Sequence, residues 1–243
     1  MSVAIIPARK HSQRFPGKHL AILLGKPLIA WTIEAALDSK EPNLVTVSSD
    51  DEEILKVASR YNCMTIRRSL KYKGVPLSTD ESPLEAPVKH AVDVLTSAGT
   101  EVDTVVILQA NLPIRKPGMI DKCIETLTKE TCDSVVTLMT VPKSVLWMKQ
   151  LKKGKVHPFM RPPLLDRILR RRLYRTQDVE ALYWLDGSVI AVKRDVLMSS
   201  PTGRIHGYLG ENVRGIVQER KYSIEVDEPI DLKIAEAILG SEL

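Results

Sequence analysis

Along this chain, short apolar runs alternate with longer stretches in which apolar residues recur three and four positions apart. Val3–Ile6 is four apolar residues long, ends at Pro7, and predicts a short buried strand. Leu28–Leu37, rich in Ala and Leu, predicts a helix. Leu44–Ser48 (LVTVS) predicts a second strand. Ser49-Asp50-Asp51-Glu52 then fits a capping box, with Ser at the cap and Glu three residues on, for a helix to about Tyr61. Met64–Ile66 predicts a third strand. Ser82 to Ala98 reads as a helix, with Val88, Ala91, Val92 and Leu95 on one face. Thr104–Leu108 (TVVIL) has no polar alternation, as expected of a central strand covered on both faces. Met119–Leu127 predicts a helix and Ser134–Met139 a further strand. This repetition of strand and helix predicts an α/β fold with a doubly wound, mostly parallel sheet.

The pattern changes after Thr140. Val145–Val156 reads as a hairpin turning at Lys153-Gly154, and Pro162–Tyr174 is a basic segment containing RILRRRLYR. Gly187–Val192, Tyr222–Val226 and the helix Ile230–Leu239 then return to the earlier style. The expected organisation is one domain over residues 1–243, with 140–176 as an excursion from the sheet. No internal repeat or low-complexity tract is present.

At 243 residues and 44% hydrophobic, the chain is large enough for a full core. With aromatics at 5%, that core must be mainly aliphatic. The net charge of +5 is the balance of 35 basic and 30 acidic residues, so positive charge is local. A nucleic-acid binder would carry a field over a whole face, so no nucleic-acid partner is expected. Cys63, Cys123 and Cys132 are far apart and show no metal spacing, which fits reduced, buried thiols. No run approaches the ~20 apolar residues of a membrane span. The N-terminus lacks a basic region followed by an apolar core. A cytoplasmic protein with no membrane partner is therefore expected.

The local charge is concentrated early. The Pro7–His19 loop holds Arg9, Lys10, Arg14 and Lys18 and no acid. In an open parallel sheet, ligands bind outside the carboxyl ends of the strands, which is where this loop begins. Cations and backbone N–H groups at that edge suit an anion. Arg can grip phosphate oxygens in pairs and Lys adds a mobile charge. There is no GxxxxGK[ST] loop, and Gly17 alone does not make a dinucleotide fingerprint. On composition and position alone, phosphate binding and a solvated surface loop both remain open.

The stretch IPARKHSQRFPGKHL resembles the opening signature of the cytidylyltransferases that activate acidic sugars, roughly IPARxxSxxxPxKN, and in particular their acylneuraminate branch. VSSDDEEI, LQANLPIR, YRTQD…DGSVIAV and SIEVDEPIDLKIAE resemble further blocks of that family in the same order. The resemblance spans nearly the whole chain. It implies a Rossmann-like nucleotidyltransferase fold with a dimerisation insertion, a homodimer, and CTP and an acidic 2-keto sugar as substrates. It places Arg9, Ser12, Lys18, His19, Arg68 and Gln109 at the CTP site, with Lys18 nearest the α-phosphate and Arg9 and Lys18 in the catalytic role. It places Gln109, Arg175, Gln177, Asp186 and Gly187 at the sugar. The transfer gathers negative charge from sugar and triphosphate, which calls for Arg, Lys and Mg²⁺.

Glu225-Val226-Asp227 supplies two acids at i and i+2, which a strand would turn to one face. The resemblance makes these two the Mg²⁺ ligands, with Glu225 binding directly or through water. His19 stands where the family usually has Asn and offers one hydrogen bond where an amide offers a donor and an acceptor. The related octulosonate enzymes carry a metal-binding Asp in a QGDEP-like segment; the corresponding Asn111 is neutral here, which favours the acylneuraminate branch. Asp186 and Ile190 replace the Asn and Tyr of the family's NGAIY. His11 reads as a surface residue, and Trp184 and Tyr183 as packing for the sugar. RILRRRLYR reads as an amphipathic dimer helix with a solvated basic side, or as arginines reaching the partner's active site; which of these it serves stays open. Two other functions stay open: an octulosonate-type cytidylyltransferase, and a relative that binds nucleotide or sugar without turnover.

Overall fold

The computed structural model describes residues 1–141, 148–159 and 181–241. Its centre is a seven-stranded sheet. The strands are β1 (Ser2–Ala8), β2 (Leu44–Ser49), β3 (Met64–Arg67), β4 (Thr104–Ile107), β5 (Ser134–Thr140), β6 (Tyr183–Lys193) and β7 (Val213–Gln218). Their order across the sheet is β7-β5-β6-β4-β1-β2-β3. β1 pairs in parallel with both β2 and β4, and β6 alone runs antiparallel, between β4 and β5. The helices are α1 (Leu28–Leu37), α2 (Glu52–Ser59), α3 (Glu85–Ser97), α4 (Met119–Lys129), α5 (Arg194–Ser199) and α6 (Pro229–Gly240). This is a doubly wound α/β fold with a mostly parallel sheet, as the alternation of strand and helix predicts.

The core sits on both faces of β1. Ala4 and Ile6 point to one face, packed with Ile29 and Ile33 of α1, Ile54 of α2 and Ile124 of α4. Val3 and Ile5 point to the other, packed with Val88, Val92 and Leu95 of α3 and Leu197 of α5. Burying each such aliphatic side chain contributes about 1.5–3 kcal/mol, so these apolar strands are stable only when covered on both sides. A third cluster joins Leu23, Leu28, Ile114, Val226 and Ala235, and fastens α6 and the segment before it to the start of α1. Cys63, Cys123 and Cys132 are buried free thiols. Among the described residues, no helix is long and apolar enough to cross a membrane.

Several expectations need correction. The cap of α2 is Asp51, whose side chain accepts from Glu53 N–H at 2.9 Å; Ser49 lies one step back, accepting from Asp51 N–H at 3.0 Å. The helix expected from Ser82 begins at Glu85, because Thr79 and Ser82 close a local turn. Tyr222–Val226 is not a strand: a 3-10 turn occupies Arg220–Ser223, and Val226 makes a single backbone bond to Asn111 O at 2.8 Å. The strand at that edge is instead β7, whose sequence VRGIVQ is mostly exposed and so lacks an apolar run. The hairpin turns at Lys153-Gly154, between Lys149–Lys152 and Lys155–Pro158. Most of the rest of the 140–176 excursion lies outside the described residues, including Val145–Trp147 and RILRRRLYR.

β6 breaks register between Leu185 and Ile190, and a buried carboxylate holds the break together. Asp186, 2% exposed, accepts at Oδ1 from Thr137 Oγ1 (2.5 Å) and Ser188 N–H (2.9 Å). At Oδ2 it accepts from Gln218 Nε2 (2.7 Å) and Ser223 Oγ (2.8 Å). This one side chain therefore ties β5, β6, β7 and the turn before α6. Asp186→Ala should take the shared acceptor from four donors and lower unfolding free energy by about 3 kcal/mol or more, read by urea titration. Asp186→Asn should cost less, because its amide oxygen keeps one of the two acceptors in place.

Candidate active site

Strand β1 delivers its carboxyl end into a cleft of about 270 Å³. The following loop reaches Gly17, whose left-handed φ of 69° turns the chain into a 3-10 turn at Lys18–Leu20. That turn buries Lys18 and His19 on the cleft wall. Opposite stand Glu225 and Asp227, with Val226 between them fully buried in the third apolar cluster. Alternation about that anchor puts both carboxylates on the cleft, although the segment is not part of the sheet.

Asp227 is the electrostatic centre. Its Oδ1 accepts from Lys18 Nζ at 2.7 Å and from Asn111 Nδ2 at 3.0 Å, and its Oδ2 pairs with Arg14. Burial opposes its charge, but the hydrogen bond and charge of Lys18, then Arg14 and Asn111, outweigh it and hold the carboxyl below its ordinary pKa. Glu225 is pushed the other way, first by burial and then by the charge of Asp227. Asn111 thus braces Asp227 twice, through its amide side chain and through the backbone bond to Val226.

The rest of the wall is built from strand ends. Arg9, just after β1, pairs with Asp80 at 2.6 Å. Arg68, just after β3, is buried. It donates from Nε to Ser48 Oγ, from one terminal nitrogen to Ser48 O and from the other to Leu77 O. It therefore lines the cleft and also fastens the Leu77 segment over it. Burial lowers its pKa to about 10, so it stays charged. His19 is buried among Lys18, Arg68 and Arg9. Burial first, then those three charges, lower its pKa to about 3, and its Nδ1 is buried without a partner. It is a neutral imidazole with hydrogen-bonding capacity to spare.

Gln109 follows β4 and divides this cleft from a second cavity of about 300 Å³. Gly187 is what lets it sit there: a Cβ at that position would collide with the Gln109 side-chain amide. The loop after Gln109 is held by the buried Arg115, which donates to Gln109 O at 2.7 Å, Thr32 Oγ1 at 2.7 Å and Ser188 O at 3.2 Å. A larger groove of about 1120 Å³ lies at the other end of the strands, beside Met1, Asp103 and Lys193.

Of the residues expected at the site, Arg9, Lys18, His19, Arg68, Gln109, Glu225 and Asp227 share the first cleft. Gly187 lines the second. Ser12 lies on the loop but off the cleft wall. Asp186 is turned into the core, where all its acceptor capacity toward Thr137, Ser188, Gln218 and Ser223 is used, so it does not face a sugar. Ile190 is buried in the core, and Tyr183 and Trp184 are exposed. Arg175 and Gln177 lie outside the described residues. Sequence reasoning missed the roles of Arg14 and Arg115, and the Gly203–Tyr208 segment of the second cavity, whose only signal is the glycine-flanked GRIHG.

Three carboxylates line the cleft, Asp80 paired with Arg9 and Glu225 and Asp227 facing Lys18, and no group of three His, Cys, Asp or Glu that could hold a metal occurs among the described residues. Such a donor set does not cage a metal. It fits Mg²⁺, which keeps several waters and takes one or two carboxylates plus phosphate oxygens.

A doubly wound sheet, a basic loop after its first strand, and paired carboxylates facing that loop at the carboxyl ends make a site suited to a phosphorylated ligand, and similarity to known proteins gives the class as nucleotidyltransferase. The sequence model of the cytidylyltransferase family matches residues 3–157, and the chain belongs to that family. It is 29% identical to the CMP-N,N′-diacetyllegionaminic acid synthase of Legionella pneumophila, over 98% of this chain and 95% of that one. It is 36% identical to a pseudaminic acid cytidylyltransferase of Campylobacter jejuni, over 51% of this chain and 52% of that one. Among solved structures, CMP:2-keto-3-deoxy-manno-octonic acid synthetase complexed with CTP shares the fold. It matches at a TM-score of 0.70 and 19% identity, covering 100% of this chain and 99% of that one.

The buried neutral His19 generates a pH prediction. Its pKa falls from 6.5 unfolded to about 3 folded, so between these values the unfolded chain binds more protons. Stability should therefore fall as pH is lowered from about 6.5 toward about 3. Urea midpoints between about pH 7 and about pH 5 should show this slope, and His19→Gln should flatten it.

Proposed function

We propose that this protein transfers CMP from CTP to the anomeric hydroxyl of a 2-keto-3-deoxy sugar acid of the nonulosonate type, releasing pyrophosphate. The observation that carries the reading is the meeting of Lys18, Arg9 and Asp227 in one cleft that shares Gln109 as a wall with a second cavity. The first cleft suits a nucleotide and the second an acceptor. The Legionella and Campylobacter relatives support the nonulosonate class.

In this reading, Lys18 and Arg14 leave Asp227 for the triphosphate, which satisfies the same charges better. Lys18, at the buried end of the loop, faces the α-phosphate, where charge shifts most during transfer. Arg9 holds the outer phosphates. Arg68 keeps the Leu77 segment closed over the nucleotide, and His19 gives one hydrogen bond without adding charge. Glu225 and Asp227 would hold Mg²⁺, which neutralises phosphate oxygens when bound. Gln109 stands between the two substrates and positions the attacking hydroxyl.

Lys18→Ala should lower kcat by ~10²–10³ with a smaller effect on CTP affinity, by analogy with removing one preorganised donor. Near-normal turnover would remove Lys18 from the chemistry. Asp227→Asn should lose activity and recover part of it at high Mg²⁺, because the lost quantity is metal affinity. A thermal-shift comparison with Mg²⁺ should favour CTP over ATP, GTP and UTP; equal shifts would refute the cytidylyl assignment.

The assembly reading is a homodimer through the 140–176 excursion. In support, the described hairpin leaves Leu151, Val156 and Phe159 more than half exposed. An isologous contact would cover them on both copies. Light scattering at micromolar concentration should give twice the chain mass, and a monomer would count against it.

A further inference from the structure

The second cavity contains a carboxylate that no step above uses. Glu85 opens α3 and is 3% exposed, yet it forms part of the cavity wall. Its Oε1 accepts from Gly203 N–H at 2.7 Å. Among the described residues no hydrogen bond or ion pair engages Oε2, and Oε2 is not one of the sealed, partnerless polar atoms. That oxygen therefore faces the cavity. One turn along α3, Lys89 is equally buried but spends its ammonium on Ser200 O at 2.5 Å. The nearest buried cation is thus committed to the loop.

The loop supports the same conclusion. Glu85 and Lys89 hold it at Gly203 and Ser200, and it then passes through His206 in the left-handed conformation, φ 55°. A non-glycine residue in that region is uncommon, and such strain collects at ligand sites. The result is a cavity with two ends. Arg204 and His206 are exposed at its rim, while Glu85, Ile190 and Tyr208 are buried at its floor. A carboxylate oxygen open to a cavity is satisfied by water until a ligand displaces that water, and the ligand must then donate in its place.

We propose that Glu85 is a specificity-determining residue for the acceptor, in an inference that rests on the cytidylyltransferase reading above. Oε2 accepts a hydrogen bond from a hydroxyl or amide N–H on the part of the sugar remote from its own carboxylate. Charge repulsion from Glu85 turns that sugar carboxylate toward the cationic rim. An acceptor with no donor at this position leaves the buried oxygen unpaired and is rejected.

Glu85→Gln separates recognition from architecture. The amide oxygen can keep the Gly203 N–H bond, and the amide nitrogen then presents a donor where the sugar also presents a donor. Pyrophosphate release would be measured with N-acetylneuraminate, N,N′-diacetyllegionaminate, pseudaminate and 3-deoxy-manno-octulosonate. For each sugar the wild type uses, KM should rise about 10- to 100-fold in Glu85→Gln, with a smaller change in kcat. The thermal shift on adding CTP and Mg²⁺ should match wild type. Glu85→Ala, which loses the loop tether too, should also lower Tm. An unchanged sugar KM in Glu85→Gln would overturn the proposal. So would a loss of CTP affinity in proportion to the rise in sugar KM, since Glu85 would then only shape the loop. A wild type that releases pyrophosphate with none of the four, and shows no CTP shift, would overturn the cytidylyl reading and this inference with it.

Discussion

The contact between Lys18 and Asp227 joins the two halves of the site. Lys18 belongs to the loop after the first strand and Asp227 to the segment before the last helix, 209 residues away. A buried ammonium and a half-buried carboxylate are each costly alone, and together they satisfy one another only if both walls are held in place. The fold supplies this. The sheet fixes the loop's origin, Val226 is sunk into an apolar cluster, and Asn111 braces Asp227 from the end of the fourth strand. Arg14 closes the arrangement from solvent. The loop's lack of acids is thus balanced from a distance, by a carboxylate on the opposite wall. The same balance makes the loop receptive to a triphosphate, which offers its cations a denser negative partner.

Much of this was legible in the sequence, for physical reasons. Central parallel strands must be apolar on both faces, so VAII and TVVIL stood out, and the helices between them showed their apolar stripes. The residues of the first cleft were legible through the family resemblance, and in the fold Arg9 follows β1, Arg68 follows β3 and Gln109 follows β4. Where an edge strand is half solvated the signal faded, and VRGIVQ was not anticipated. Tyr222–Val226 failed for the opposite reason. It is apolar because it packs on α1 and α6, not because it joins a ladder.

Asp186 shows a different limit. An acid next to a glycine in a sugar-site motif looks like a ligand contact, but only the coordinates reveal four donors already on it. Glu85 is the converse case. At the head of a helix it reads as a solvated charge complementing the dipole. Its burial beside Gly203 depends on a loop more than a hundred residues away, which no local pattern encodes.

The two walls of the first cleft also differ mechanically. Arg68 is clamped by three hydrogen bonds to β2 and the Leu77 segment, and Lys18 rises from a turn rooted in the sheet. The facing acids hang on a stretch with one backbone bond to the strand-end loop, at Val226, the Asn111 amide on Asp227, and a fastening where Asp231 caps the next helix. Hydrogen bonds set how far a segment yields under load. The cationic wall is therefore the stiff jaw and the acidic wall the compliant one. In the proposed reading a nucleotide is registered against the former, while the latter adjusts its reach to whatever is held between them.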